Sequence, residues 1–560
     1  MQPVRDGGRA AGAHPWFVVL PDTPATGQMV DCLQAAQVIN HPSGRPFVLG
    51  CWDNATVVQA RDKITVTLGE HHLSSENGRA RARGTASGLH RLFHTTTYGV
   101  TVAADRADTL ARLIGSTPDP SGLVLRLLSP HAPWPLTWHS VWSDVTSVPP
   151  GHWLDLGTAA HERWWTPPAP ELPLSDAGLL LRTALENAID RRDHDLVACD
   201  LSGLDSSSLF GLTAQHGPVV GLTYEADDPG DEDVAYARQL AESFGAAHDV
   251  LAAADAPLPF QGLRDDAGPF DEPTWVSSYR ARIGTTSTRA AAHGASLRFA
   301  GHGGDEVLMP PPVWLADIAR RHPLRAARLA RRVQAKYRLS AGDLAGLVAA
   351  RSTYPEWFAG CLDGRQPGEW QTMSWGIPPA VPSWLTADAV ELAQSAVADA
   401  TASALAADRG MHATLEAVHT GALAARHIAQ LGAADGMRVA LPYFDDRVLE
   451  ACLAIRPEDS IDPARYKPQL VSAMTGVLPP RTLNRASKSE ISMTVGRGWA
   501  THRSELVDLV DDSRLARLGL IDAAAVRRIC TGPYDAARCG PVRQFLDLAS
   551  WLRTATKGSG

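Results

Sequence analysis

The stretch from Leu196 to Phe210, LVACDLSGLDSSSLF, constrains the fold of this chain more than any other. An apolar run, a small-residue loop and an apolar helical pattern follow one another. The spacing predicts a buried strand, a tight turn and a helix start. That geometry binds phosphate, because Gly and Ser let the backbone come close and the first N–H groups of a helix have no intrahelical partners. Leu201, Ser202, Gly203, Leu204, Asp205, Ser206 and Ser207 are therefore candidate nucleotide contacts, with the serine hydroxyls as added donors. Asp205 is out of place beside a phosphate unless a cation lies between, so it points to Mg²⁺. An ordinary Ser-rich turn at a helix start has the same spelling, and this loop alone does not separate the two.

The chain around it supplies the context. AGLLLRTALENAIDRR, from Ala177, reads as a helix capped by Ser175 or Asp176. PVVGLTYEA, from Pro218, reads as a strand, and DEDVAYARQLAESFGAAHDVL, from Asp231, as a helix ending near Gly245. SLRFAGHGGDEVL gives a strand over 297–300 with a Gly-rich turn behind it. Alternating strands and helices predict a doubly wound parallel sheet, whose ligand lies at the carboxyl ends of the strands. That rule puts Ser202–Ser207, Thr223–Glu225 and Gly301–Glu306 along one edge. Thr223, Tyr224, Gly301 and Gly303 join the cofactor set, the glycines permitting close backbone approach to a ligand. Asp305 becomes a second metal carboxylate facing Asp205. Two such loops, each after a strand, favour a ligand site over two unrelated turns.

Composition limits the alternatives. The chain has 560 residues, enough for two or more cores, with 44% hydrophobic and 20% charged residues. A net charge of −9 argues against a dedicated nucleic-acid binder. The seven scattered cysteines show no CxxC spacing, which suits a reducing cytoplasm and gives no zinc site. No segment is long and apolar enough to span a membrane, and the apolar stretch near the start is too short for a signal peptide. From Trp16 to about Leu156 short runs such as WFVVL, PFVLGCW and ITVTLG read as strands, with Ser74–Gly88 as a loop. GVTVAADRADTLARLIG reads as a strand running into a helix, and Pro149–Leu156 as a turn and a strand. The Pro-rich stretch Arg163–Asp176 marks a domain boundary. The basic stretch from Arg320 to Arg338 reads as a solvated helix face, His427 and Gln430 as buried polar residues, and Trp275 as either a pocket wall or a core residue.

SGLDSS (from Ser202), GHGGDE (from Gly301), LPYFD (from Leu441), RYKP (from Arg465) and RASK (from Arg485) occur in the order seen in the asparagine synthetase family, which the chain resembles over nearly its whole length. GHGGDE and RYKP are spelled most like the lasso peptide cyclases of that family, with β-lactam synthetases next. The resemblance implies a degenerate glutaminase-like β-rich sandwich over 1–165. Over 175–555 it implies an ATP-pyrophosphatase domain with a doubly wound parallel sheet and extra helices. It implies ATP and Mg²⁺ as cofactors, and Lys488 as the cation at the reacting centre, with Lys467 as a lesser phosphate contact. Where asparagine and β-lactam synthetases carry a glutamate upstream of LPYFD, Arg438 stands here, so Glu-assisted deprotonation of the β-lactam type is not expected, and Arg438 joins Lys467 as an alternative catalytic cation to Lys488. An α-amine, with a pKa near ~7.7–8.0, is in appreciable part neutral at cellular pH and needs little help from a base.

The expected reaction is adenylation of an Asp or Glu side chain of a precursor core peptide. The peptide's N-terminal amine then closes a macrolactam, releasing AMP and PPi. Alternatives are β-lactam-type closure of a small β-amino acid and a nucleotide-binding peptide chaperone without catalysis. The cyclase resemblance also implies a leader peptidase and a leader-binding protein as partners, with no nucleic acid and no membrane. The family's glutaminase uses a cysteine directly after the initiator methionine, where this sequence has Gln2, the nearest cysteine being Cys32. The expectation is that incubation with glutamine yields no glutamate above background.

Overall fold

The structure, a computed structural model, describes residues 15–33, 35–189, 194–266, 268–362, 374–485 and 491–555. It is a mixed α/β protein with antiparallel sheets in its first part and a parallel sheet in its second. Two six-stranded antiparallel sheets form the first part. One contains Trp16–Val19, Pro46–Cys51, Phe93–Thr97 and Val100–Ala104, and the other Lys63–Leu68, His71–Glu76, Arg79–Arg83 and His152–Asp155. Strand alternation divides the side chains between two cores. Phe17 and Val19 pack with Ile64, Val66, Leu73 and Leu154 between the sheets. Val18, Leu49 and Phe93 face the other way, into the larger core shared with the helices.

The loop expected over Ser74–Gly88 is mostly a hairpin. His71–Glu76 pairs antiparallel with Arg79–Arg83 around Asn77 and Gly78, which take φ of 51° and 81°. Asn-Gly is a strong short signal for such a turn, and the Arg-Ala alternation sends Ala80 and Ala82 into the core. Polar composition hid a strand whose buried face is only alanine deep.

The second part is built on five parallel strands in the spatial order Ala247–Leu251, Val219–Tyr224, Val197–Asp200, Leu297–Phe299, Arg438–Ala440. The sheet grows outward in both directions from Val197–Asp200. The loops after Val197–Asp200 and Leu297–Phe299 thus leave neighbouring strands at the point where the winding reverses, the crevice in which such sheets bind ligands. One local expectation is corrected, and two are extended. The helix Leu174–Ala188 begins before Ser175 and Asp176, with Pro173 ahead of it, and Ser175 Oγ donates to Asp176 instead of capping. After the helix Asp233–Ser243 and the left-handed Gly245 (φ 63°), the chain forms the edge strand Ala247–Leu251. Behind Leu297–Phe299 the Gly-rich segment enters a short helix, Gly304–Leu308.

The two parts share buried polar contacts. The Asp446 carboxylate accepts from the N–H groups of Ala86 (2.9 Å) and Ser87 (3.1 Å), and Glu416 accepts from Trp134 N at 2.8 Å. The basic residues after Arg320 lie on the helices Trp314–Arg321 and Pro323–Tyr337. Arg321 pairs with Asp408 and Arg332 with Asp462, each at 2.6 Å, as a solvated face does. No helix among the described residues is long and apolar enough to cross a membrane.

The final helix, Ala536–Ala555, buries Asp547, which accepts from Ser278 Oγ at 2.5 Å. Burial pushes its carboxyl up to about 8. The folded state then holds a proton that the unfolded chain has lost, so stability falls as pH rises from the ordinary carboxylate range to about 8. Asp547→Asn removes this slope. Thermal melts should show the variant gaining on the parent steadily between pH 4 and pH 9, with no gain at pH 4.

Candidate active site

Two loops bring Asp205 and Asp305 to one point. Gly203 precedes the helix Leu204–Ala214, which places Asp205 in its first turn, where a negative charge is favoured. Gly303, at φ 98°, turns the chain into the helix Gly304–Leu308 and places Asp305 in its first turn. A Cβ on Gly301 would lie 2.9 Å from Ser206 N, and one on Gly304 2.4 Å from Asp205 Cγ. Of the two glycines expected to admit a ligand, Gly301 thus admits the other loop, and Gly303 admits the Tyr443 and Phe444 side chains, which a Cβ there would meet at 2.9 and 2.8 Å.

The atom between the carboxylates is Lys467 Nζ. It bonds Asp205 Oδ2 and lies 2.7 Å from Asp305 Oδ1. The Lys467 side chain is fully buried at 0% exposure, while Asp305 is 49% exposed, so the pair opens to solvent on the Asp305 side. Lys467 takes a left-handed backbone (φ 42°) immediately before Pro468, which starts the helix Pro468–Met474. Burial works against its charge, but Asp205 and Asp305 outweigh burial and raise its pKa above the ordinary lysine value. Burial together with Asp305 also pushes the Glu306 carboxyl up. Tyr443, from the Leu441–Asp445 motif, donates its hydroxyl to Asp205 O at 3.1 Å, and Asp445 caps the helix Asp446–Leu453 through Arg447 N at 2.8 Å.

A cleft of about 620 Å³ opens beside this point along the carboxyl ends of the strands. Leu201, Ser202, Thr223 and Tyr224 line it. Thr223 Oγ1 donates to Leu201 O at 2.6 Å and lies 2.8 Å from His248 Nε2. Tyr224 OH donates to Arg282 O at 2.5 Å. Ser206 Oγ accepts from Ser202 N (3.0 Å) and donates to Gly203 O (3.1 Å), and Ser207 is buried, so these hydroxyls serve the loop more than open space. Leu204 is buried in the core.

Not every expected residue gathers here. Arg438 is exposed at the amino end of its strand, opposite the carboxyl-end loops, and its charge acts on the Glu70 carboxyl of the first part. Lys488 lies outside the described residues. Arg485 Nη1 donates to Ser202 O at 2.8 Å and also bonds Asp233, while Ile491 and Thr494 line the cleft. Trp275 is resolved as a cleft wall, 38% exposed and edge-to-face with Tyr279. His427 is buried and Gln430 half-buried, 3.2 and 3.1 Å from Asp271 Oδ1.

Sequence reasoning passed over His302, which lies in the quoted Gly-rich loop and lines the cleft. Its side chain is exposed there. It also underrated Lys467, whose place before a helix-starting proline was the available signal. Among the described residues no group of three or more His, Cys, Asp or Glu side chains could hold a metal.

Antiparallel sheets followed by a parallel sheet with a cleft at its winding reversal define the class as a mixed α/β protein. The asparagine synthase family model matches residues 180–553, and the chain belongs to that family. No curated protein matches it. Among solved structures it is similar to glutamine phosphoribosylpyrophosphate amidotransferase from B. subtilis complexed with ADP and GMP, at 11% identity and a TM-score of 0.13. That match covers 53% of this chain and 63% of that enzyme's length, and so poor a superposition carries no inference.

Lys467→Met should destabilise the ligand-free chain by about 3 kcal/mol, because it removes the buried cation between two facing carboxylates. Asp205→Asn should restore much of the loss in the double variant. A double-mutant cycle in urea checks this, and simple additivity would remove the coupling.

Proposed function

We propose that the chain is an ATP-dependent carbon–nitrogen ligase that adenylates a side-chain carboxylate of a precursor peptide. The peptide's own N-terminal amine displaces AMP and closes a macrolactam. The observation that carries the reading is the meeting of Asp205 and Asp305 on one cation, on two loops whose Ser202 and His302 line the cleft. Membership of the asparagine synthase family supports ATP use and amide formation.

The donor set fits Mg²⁺. Two carboxylates already meet on one cationic nitrogen, and Mg²⁺ takes few protein carboxylates together with phosphate oxygens and water. Asp205 and Asp305 would hold it, and when bound it would supply charge neutralisation at the phosphates. The chain's own groups do the rest. Leu201, Ser202, Thr223 and Tyr224 line the space for nucleotide, and the open N–H groups at the start of Leu204–Ala214 suit a phosphate. Lys467 carries a positive charge to the same point, where negative charge grows as pyrophosphate leaves. Lys488 is proposed as the cation at the acyl centre. Its described neighbours support this, since Arg485 bonds the nucleotide loop and Ile491 borders the cleft.

Closure by an α-amine asks chiefly for proximity, and a peptide held in place supplies much of the barrier reduction. Arg438, exposed on the far edge of the sheet, is not needed for it. A leader peptidase and a leader-binding protein are proposed partners on the same reading, and the cytoplasm is the proposed location.

AMP release is measured with ATP, Mg²⁺ and a panel of linear peptides bearing a free N-terminus and an internal Asp or Glu, beside a small β-amino acid. The expected result is AMP with a peptide lighter by one water. Product from the β-amino acid alone would favour β-lactam-type closure, and none at all would favour a nucleotide-binding chaperone. Asp205→Ala and Asp305→Ala should each abolish turnover with the fold intact. Lys488→Ala should slow ring closure by about a thousandfold with a smaller loss of ATP affinity. An equal loss of both in single-turnover and calorimetric measurements would make Lys488 a ground-state phosphate ligand.

A further inference from the structure

We propose that the first domain is a positioning device for the substrate end of the cleft: Arg91, Ala107 and Trp142 hold Asp271 and Glu272, and through them set Trp275 and Tyr279. The proposal rests on reading the cleft as the ligase site, and deepens it by assigning a role to the domain that holds no part of that site.

Asp271 and Glu272 belong to the synthetase part, yet both are gripped from the first domain. Ala107 N donates to Asp271 Oδ2 at 3.0 Å, and Trp142 Nε1 to Asp271 O at 2.9 Å. Arg106 Nη2 donates to Pro269 O at 3.1 Å, and Val141 N to Glu272 Oε1 at 3.3 Å. Arg91 bonds Glu272 Oε2 and is itself fixed by Trp138 O and Ser147 Oγ, both at 2.7 Å. From the other side Arg426, on the long helix Arg409–Ala434, donates through both terminal nitrogens to Asp271 at 2.9 Å. The carboxylates are 0% and 2% exposed.

Charges taken out of water at both ends hold their geometry tightly, because any shift leaves one of them uncompensated. The grip is passed on over a short distance. Trp275 is four positions on from Asp271, about 13 Å at full extension. Thr274 then caps the one-turn helix Trp275–Tyr279 through Val276 N (3.3 Å), and the helix Arg280–Ala292 follows directly. Trp275, Tyr279, Arg282 and Ile283 face the cleft. One wall of the cleft thus hangs from a point that the first domain holds.

The test uses the full chain with the double substitution Arg91→Met, Glu272→Gln, which removes the ion pair, keeps an acceptor for Val141 N, and leaves Arg126, 3.9 Å from Glu272, on its bonds to Thr137 O and His139 O. Trp142→Phe is the milder second variant, removing only the bond to Asp271 O. Amide hydrogen exchange in peptides covering 270–283 should rise at least about tenfold in the double variant and less in Trp142→Phe. Exchange over 197–214 and the Kd for ATP should stay within about twofold. With a peptide that the parent turns over, KM should rise about tenfold and kcat stay within about threefold, because the loss falls on placement. Equal loosening of 197–214 and 270–283, or no change over 270–283, overturns the proposal. If the parent turns over no peptide, the ligase reading fails by itself, and exchange with ATP binding still decides whether the first domain sets this wall.

Discussion

Two carboxylates close to one another in a partly buried place need a cation, and much of the architecture around the cleft serves that requirement. Asp205 and Asp305 come from loops that leave adjacent parallel strands on either side of the winding reversal, where the backbone diverges and leaves a crevice. Glycines at 301 and 304 let the loops close to van der Waals contact. Lys467 enters from a distant segment, held by a left-handed backbone and by the helix behind it, and its ammonium neutralises both aspartates. Polar groups so arranged are stable only as a set, since loss of one leaves the others unmatched. The same set suits phosphate chemistry. A positive charge is already in place, Asp305 is open to solvent, and the cleft beside it is large enough for a nucleotide and part of a second substrate.

The second constraint lies at the contact between the parts. Arg91, Arg426, Asp271 and Glu272 form a dry ionic cluster, and Asp446, Glu416 and the main chain around Ala86 extend the polar contact. Such a surface gives little stability for its area, because desolvation offsets the Coulomb gain, but it fixes one relative placement. A flexible docking of the two parts would leave these charges bare.

The parallel sheet was legible because its strands are apolar runs ending in unusual loops, and the position of Asp205 and Asp305 followed from the rule for strand ends. Less was legible where the signal lay in few or small residues. The strands from His71 to Arg83 bury only Ala80 and Ala82 on the second one, and the edge strand Ala247–Leu251 is polar because it lies at the rim. Lys467 could not be distinguished from a surface lysine, since its burial depends on two aspartates more than a hundred and fifty residues upstream. The cluster at Asp271 was invisible for the same reason, as its partners come from four separate stretches of chain. Arg438 was singled out by its place in a motif, and only the direction of its strand shows that it points away from the cleft's edge.

Transfer of oxygen tests the central claim most directly. A linear peptide carrying ¹⁸O in the reacting side-chain carboxylate is incubated with the chain, ATP and Mg²⁺, and the released AMP is weighed by mass spectrometry. Adenylation of the carboxylate predicts one heavy oxygen in each AMP formed, with the Asp205→Ala and Asp305→Ala chains giving none. Release of ADP with the label in inorganic phosphate, or AMP free of label, would contradict the account.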